Sequence, residues 1–313
     1  MPGTIFIDGE AGTTGLQIRE VLGESHALRV LAIPDALRKD PQARRELMAK
    51  ADLVVLCLHD DVARAAVALI DTLGSSQPRI LDASSAHRVH PGWVYGFPEL
   101  SAEMPERIRA AQRVSNPGCH ATGAIALLAP LVAAAIIPRD YPLTIHSVSG
   151  YSGGGRAMIA AYGEGRAPPF ELYGLELEHK HVPEIMQHAG LSCRPIFLPS
   201  VGNFRQGMLV TVALHLDALP MRPSVEDLHA CYQRHFPEPD RAAPGAACVR
   251  LQAACSDGRI DAAALADSDL LEIRVFGNAA RRHAVLVARF DNLGKGASRA
   301  AVHNIRLMLG EST

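Results

Sequence analysis

Four short apolar runs in the first third of the chain, "TIFIDG", "HALRVLAI", "ADLVVLCL" and "RILDAS", limit the fold more than any other feature. Between them lie stretches of helical period, "TTGLQIREVLGE" and "DVARAAVALIDTL". A strand with one wet face alternates polar and apolar residues, whereas one covered on both faces reads as a continuous apolar run. The pattern therefore predicts a parallel sheet with helices on both sides. From about residue 141 the texture changes. "LTIHSVSG", "LPSVGNFRQGMLVTVALHL", "LLEIRVFG" and "HAVLVARFDNL" are longer and alternate more, which predicts a mixed or antiparallel sheet with few helices between its strands. The last stretch, "GASRAAVHNIRLMLGE", returns to a helical period, with Ala301, Ile305, Met308 and Leu309 on one face. At 313 residues, two domains around two cores are expected. They are placed at 1–117, completed by the C-terminal helix 296–313, and at 118–295.

Charge and cysteine usage exclude several classes. Thirty-one Lys and Arg against thirty-three Asp and Glu give no electrostatic reason to expect nucleic acid or an anionic membrane as a partner. The longest apolar stretch, "ATGAIALLAPLVAAAII", contains Pro130 and stops short of a bilayer span. The opening segment is broken by Asp8 and Gly9 and does not read as a signal peptide. Cysteines occur at 57, 119, 193, 231, 248 and 255 with no CxxC pair, as expected for reduced thiols in a cytoplasmic protein. The segment "AAPGAAC" near 242 reads as a linker or loose loop.

"GEAGTTG" puts Gly9, Gly12 and Gly15 between the first strand and its helix. A nucleotide pyrophosphate needs close backbone approach and free N–H groups at a helix start, and glycines in that place allow both. The spacing is GxxGxxG rather than GxGxxG, so a glycine-lined turn without a ligand competes with this reading. After the second strand comes "IPDALRK", where Asp35 would suit NAD and Arg38 with Lys39 would suit the 2′-phosphate of NADP. With Thr13 and Thr14 as hydroxyl donors, the pattern leans to NADP, against a plain solvated loop.

Cys119 stands in "SNPGCHATG", behind a tight turn and at the start of a helix predicted over 119–135. Helix N-terminal N–H groups favour a thiolate and lower the thiol pKa. Cys57, inside "LVVLCLH", reads as a buried strand residue. A thiolate beside a dinucleotide site suggests addition to an aldehyde or acyl carbon, with hydride exchange on the adduct. Such chemistry needs an acid/base, and "ELEHKHVPEI" supplies His179, His181 and Glu184. If this stretch is extended, both histidines project from one face. Metal binding by HxH lacks a completing ligand set, so no metal is expected.

Other candidates follow parallel strands or crowd glycines. Arg88 in "DASSAHRVH" and Arg205, with Asn203, in "GNFRQGMLVTV" are suited to phosphate or carboxylate recognition. "SGYSGGGRAMI", with Ser152 and Gly153, brings backbone close to the nicotinamide end or the site floor. "DNLGKGA" offers Asn292 and Lys295 in a glycine-flanked turn.

In this order, "GEAGTTG", "DASSAHR", "YGFPEL", "SNPGCHATG", "SGYSGGGR", "HKHVPEI", "GNFRQGM" and "DNLGKGA" resemble the short form of the N-acetyl-gamma-glutamyl-phosphate reductase family. These are NADPH-dependent enzymes of arginine biosynthesis, related to glyceraldehyde-3-phosphate and aspartate-semialdehyde dehydrogenases. The resemblance implies a Rossmann-type α/β dinucleotide-binding domain plus an α+β catalytic domain of the glyceraldehyde-3-phosphate dehydrogenase type, and a homo-oligomer. It implies Cys119 as nucleophile, His179 as acid/base, Glu184 as its support and His181 as a lesser candidate. Arg88, Asn116 and Arg205 would meet the substrate, N-acetylglutamyl phosphate. Gly9, Gly12, Thr13, Thr14, Gly15, Arg38, Ser152, Gly153, Asn292 and Lys295 would surround NADP(H). His120 departs from the family's usual tyrosine or phenylalanine, directly beside the nucleophile. Rival readings are an aspartate-semialdehyde dehydrogenase-like acyl-phosphate reductase, a cysteine hydrolase or acyltransferase without nicotinamide, and a non-enzymatic dinucleotide sensor.

Overall fold

The computed structural model describes residues 3–23, 28–237 and 248–311. They form two compact units. The first takes the chain up to Pro98, then Ala102–Pro117, then Ala297 onward; the second takes Glu99–Ser101 and Gly118–Gly296. Most of the "AAPGAAC" segment, and the first two residues of "HALRVLAI", lie outside the described residues.

In the first unit, β1 (Gly3–Asp8), β2 (Leu28–Leu31), β3 (Leu53–Leu56), β4 (Arg79–Asp82), β5 (Val94–Tyr95) and β6 (Arg113–Ser115) form one sheet. Its order is β2-β1-β3-β4-β6-β5 and every pairing is parallel. Ile5, Phe6, Ile7, all of β3, Ile80 and Leu81 are buried, as continuous apolar strands covered on both faces require. Helix α1 (Thr13–Leu22) follows the glycine turn, and α2 (Pro41–Met48) precedes β3. Helix α3 (Asp60–Asp71) buries Ala63, Ala66, Val67 and Ile70 at helical spacing, and α4 (Met104–Ala110) precedes β6. The C-terminal helix (Arg299–Leu309) belongs to this unit. Arg79 of β4 donates to its Met308 carbonyl, and Asn304 donates to the Gly96 carbonyl at 2.9 Å. Helix α2 was not expected. Its start signal is Asp40, whose carboxylate accepts from the Gln42 and Ala43 amides, followed by Pro41 in the first turn.

The second unit opens with α5 (Cys119–Ala133), then β7 (Thr144–Gly150), α6 (Gly155–Gly163), β8 (Phe170–Leu172) and α7 (Val182–Ala189). It continues through β9 (Ile196–Gly202), β10 (Met208–His215), α8 (Val225–His235), β11 (Val249–Gln252), β12 (Leu271–Asn278) and β13 (His283–Phe290). The seven strands run β11-β12-β13-β10-β7-β9-β8 in a mixed sheet. Pairs β7–β9 and β11–β12 are parallel, and the others antiparallel. "LPSVGNFRQGMLVTVALHL" is two strands, not one. The break falls at Gly207, with φ of +117°, where a Cβ would lie 2.2 Å from the Ala262 carbonyl oxygen.

Helix α5 is buried on nearly every side, which its apolar composition permits. Among the described residues, no helix is long and apolar enough to cross a membrane. The helix approaches β10 and β13 closely because position 123 has no side chain. A Cβ on Gly123 would sit 2.6 Å from Val210 Cγ2 and 2.7 Å from Phe290 Cε1. Gly123→Ala should therefore lower stability by about 1–3 kcal/mol through overpacking. Gly163→Ala, which meets open space, should shift it by well under about 1 kcal/mol. Equal thermal midpoints for the two variants would contradict this packing account.

Candidate active site

Between Pro117 and Gly118 the chain passes from the first unit to the second. Gly118 is the N-cap of α5, in extended backbone with no side-chain bond to the first turn. Cys119 is the first residue of the helix and is half-buried. The exposed N–H groups of a first turn are where a sulfur anion is best stabilised. The turn is fixed from outside: Glu184 Oε1 on α7 accepts the Gly118 amide at 2.8 Å, with both groups buried. Thr122 Oγ1 donates to the Gly118 carbonyl at 3.0 Å. A Cβ on Gly296 would lie 3.0 Å from Cys119 Cβ, so the "DNLGKGA" turn packs against the cysteine.

The histidine block is not extended. His179 and His181 lie in the turn leading to α7, and His181 is the helix N-cap. Pro183, in the first turn of α7, favours that early start of the helix over a strand. The turn still brings the two rings together, 4.8 Å apart between centroids. His120 joins them at 5.5 Å from each, and Phe197 stands 5.0 Å from His179. Burial, with Lys180 nearby, lowers the His179 pKa to about 4, against a smaller opposing pull from Glu176. Burial, His179 and Lys180 lower that of His120 to about 3. Both imidazoles are thus neutral bases at physiological pH. Glu184, expected to support a histidine, accepts the Gly118 amide in the turn that carries Cys119.

A second cluster gathers Ser152, Gly153, Asn292 and the Arg205 backbone. Asn292 Nδ2 donates to Ser152 Oγ at 3.0 Å, and its Oδ1 accepts the Gly207 amide at 2.9 Å. The Ser152 amide donates to the Arg205 carbonyl at 3.1 Å. A Cβ on Gly153 would lie 3.0 Å from Ser149 Oγ. Asn292 thus has both ends of its carboxamide engaged in joining loops. The Arg205 side chain is exposed. Lys295 is buried and its Nζ lies 2.6 Å from Glu99 Oε1. Burial, the largest single influence, would lower its pKa, but Glu99, Cys248 and Asp269 together outweigh it and the net shift is upward.

In the first unit, the chain turns after β1 on Gly9, with φ of +88°, where a Cβ would meet the Cys57 carbonyl oxygen at 2.3 Å. The Gly12 amide donates to the Gly9 carbonyl at 2.9 Å, and a Cβ on Gly15 would lie 2.7 Å from that oxygen. Gly12 caps α1 without a side-chain bond, and Thr13 and Thr14 begin the helix. Arg38 is exposed and paired with Asp35 at 2.7 Å. Arg88 is buried and donates to the Asn116 carbonyl at 3.0 Å and the Ala83 carbonyl at 3.1 Å, so it ties the loops beyond β4 and β6. The Asn116 carboxamide bonds the Ala297 carbonyl and Asn304.

Three residues escaped the sequence reading. Arg44 on α2 grips Asp8 Oδ2 at the end of β1, at 2.5 and 3.2 Å. Burial raises the Asp8 pKa, with Arg44 opposing. The Asp40–Pro41 start signal could have revealed α2 and therefore Arg44. Tyr173 and Ser147 bond the two nitrogens of His120, at 2.9 and 2.8 Å. A lone tyrosine beyond a three-residue strand carries no spacing signal that could have identified it.

A family model described as "Semialdehyde dehydrogenase, dimerisation domain" matches residues 119–292. N-acetyl-gamma-glutamyl-phosphate reductase 2 of Pseudomonas putida is 52% identical over 309 residues, covering 98% of this chain and 96% of that one. An N-acetyl-gamma-glutamyl-phosphate reductase of Burkholderia cenocepacia is 49% identical, covering 99% and 98%. Among solved structures, aspartate semialdehyde dehydrogenase II from Vibrio cholerae superimposes with a TM-score of 0.71 at 15% identity, covering both chains fully. Aspartate semialdehyde dehydrogenase from Candida albicans, solved with NADP, does so with 0.66 at 13% identity, covering 99% of each. At these identities the structures show a shared fold.

The neutral histidines set a pH dependence. Their folded pKa values, about 3 and about 4, lie below the ordinary 6.5. Below pH 6.5 the unfolded chain therefore binds protons that the folded chain excludes, and stability is lost as pH falls from 6.5 towards 3. His120→Phe removes one such group, so the stability of the variant relative to the parent should rise between pH 7 and pH 4. The limit is about tenfold in the folding constant per pH unit. Parallel thermal-midpoint curves for the two proteins over that range would show that His120 is not held neutral.

Proposed function

Because the chain belongs to the N-acetyl-gamma-glutamyl-phosphate reductase family, we propose that it reduces N-acetyl-L-glutamyl 5-phosphate to N-acetyl-L-glutamate 5-semialdehyde through a thioester on Cys119. The observation carrying this reading is the half-buried cysteine at an α5 N-terminus fixed by Glu184, with a neutral His179 in the neighbouring cluster. Cys119, as thiolate, attacks the acyl carbon; the C–S bond forms as the C–O bond to phosphate breaks. A neutral His179 is the base that takes the thiol proton, and as imidazolium it returns it to the tetrahedral oxygen. It withdraws that proton again as the C–S bond cleaves and the aldehyde leaves. His181 is the second candidate for this role.

The glycine turn fits a dinucleotide. At Gly9 and Gly15 any side chain would collide with backbone, and the α1 N-terminus carries no capping side chain, as pyrophosphate binding requires. Gly9, Gly12, Thr13, Thr14 and Gly15, with Arg38 for the 2′-phosphate, would hold NADPH, which when bound would supply the hydride for reduction at the thioester carbon. For the substrate phosphate, Arg88 already gives two nitrogens to carbonyls, so the exposed Arg205 is the stronger assignment. Asn116, Asn292 and Lys295 act by holding the loops around these groups. Six free cysteines suit a reducing cytoplasm. The dimerisation-domain match and the outward-facing Ile196 and Val285 of the second sheet favour a homo-oligomer.

The test is phosphate-dependent reduction of NADP with N-acetylglutamate semialdehyde, beside aspartate semialdehyde. The acetylated substrate should be preferred, and Cys119→Ser should lower kcat at least about 10³-fold. Preference for aspartate semialdehyde would overturn the substrate assignment. Substantial activity in Cys119→Ser would overturn the thioester.

A further inference from the structure

Among the described residues, α6 is the one α-helix that buries none of its side chains, although "AMIAAY" within it is apolar. It packs against the turn of helix Tyr151–Gly154 just before it, where the Tyr151 and Tyr162 rings stack at 4.7 Å and 13°. Gly155 at its start and Gly165 just past its end have φ of +72° and +68°, the left-handed region that favours glycine. A Cβ at either, or at Gly163, would meet nothing within 4 Å, so no neighbour clamps the two ends. The flanks, by contrast, are pinned side by side on one loop. The Tyr151 amide donates to the Phe204 carbonyl at 2.9 Å, and the Ser152 amide to that of Arg205 at 3.1 Å. On the other side the Asn203 amide donates to the Pro169 carbonyl at 2.9 Å, and Phe170 of β8 pairs with Gly202 of β9. Residues 153–168 therefore leave and rejoin the fold at Gly202–Arg205, as an excursion with neighbouring stems.

We propose that residues 153–168 are a lid, hinged at Gly155 and Gly165, that closes over the Arg205 loop when the phosphate-bearing substrate is bound. The inference rests on the acyl-phosphate reading above. The stems stand on groups that the chemistry uses. Asn292 Nδ2 holds Ser152 Oγ at 3.0 Å, and the turn after Asn292 brings Gly296 against Cys119, where a Cβ would lie 3.0 Å from Cys119 Cβ. Beyond β8, the Tyr173 hydroxyl lies 2.9 Å from His120 Nε2, in the histidine cluster. Fixed stems with an unclamped helix between them are the arrangement of a hinge motion. Closure also needs a contact made in the closed state alone. The Arg156 side chain, exposed in the first turn of α6, is the lid cation nearest in sequence to the Ser152–Arg205 stem. A dianionic phosphate on Arg205 draws that guanidinium in. The purpose is dryness: a thioester open to water is hydrolysed, and the acyl group is lost as the free acid.

Hydrogen exchange read by mass spectrometry on the full chain tests the lid. The probes are N-acetylglutamate semialdehyde and inorganic phosphate, with NADP withheld so that Cys119 forms only the thiohemiacetal. In the free chain, amides 156–163 should exchange at least about 100-fold faster than those of β10, as a locally opened helix does. With both probes at about ten times their Kd, exchange in α6 should slow about tenfold. Arg156→Gln should abolish that slowing while the semialdehyde still protects Cys119 from iodoacetamide. In turnover, the same variant should raise the KM for phosphate about tenfold and leave the KM for NADP unchanged. Amides of α6 as slow as those of β10 in the free chain overturn the lid. So does exchange in α6 that the probes leave unchanged while Cys119 is protected. Protection that rises with protein concentration alone would assign α6 to contact between copies and overturn it too. Slowing that survives in Arg156→Gln overturns Arg156 as the closing contact. If the semialdehyde protects neither Cys119 nor α6, the substrate reading itself fails, and the inference falls with it.

Discussion

A helix that begins inside a protein leaves amide groups that must find partners, and the second unit answers that demand at one point. Glu184 accepts the Gly118 amide from across α5 and α7. A buried carboxylate is tolerated only where its charge is met by donors, and a helix N-terminus supplies them. The bond orders the turn on which Cys119 stands, and it couples α7 to α5. The loop in front of α7 then has one place to go, and it carries His179 and His181 to the start of α5. Position and chemistry share a cause: the same amides that need capping also favour a sulfur anion.

The first unit solves the reverse problem. Its glycine turn leaves the α1 N-terminus without any side-chain cap, and backbone crowding at Gly9 and Gly15 excludes side chains. Donors left open at a helix start invite an anion from outside. One helix start is met by a protein carboxylate and the other has no side-chain cap, and the difference lies in which residues can reach them.

The sheets were legible because burial dictates hydrophobic period. Continuous runs such as "ADLVVLCL" became interior parallel strands, and alternating ones became the mixed sheet. Short elements were harder to see. Helix α2 rests on one aspartate cap and one proline, and without it Arg44 could not be placed beside Asp8. The HxH stretch was read under the condition that it is extended, whereas Pro183 and the His181 cap start a helix there. What residue type could not reveal was commitment. Asn116, Asn292 and Lys295 have the polar groups expected of ligand contacts, yet the fold uses those groups on carbonyls, hydroxyls and a carboxylate. Tyr173 was invisible because its role depends on a sheet edge brought to α5 from fifty residues away in sequence.

Gly296 rests against Cys119, and the helix after it supplies Met308 to Arg79 and Asn304 to Gly96. Cys119 leaves the ribosome early in synthesis, whereas Gly296, which packs against it, and the last helix of the first unit leave late. Through most of translation, the nascent chain therefore carries a thiol whose surroundings are unfinished, and neither unit can be completed before the final segment is released.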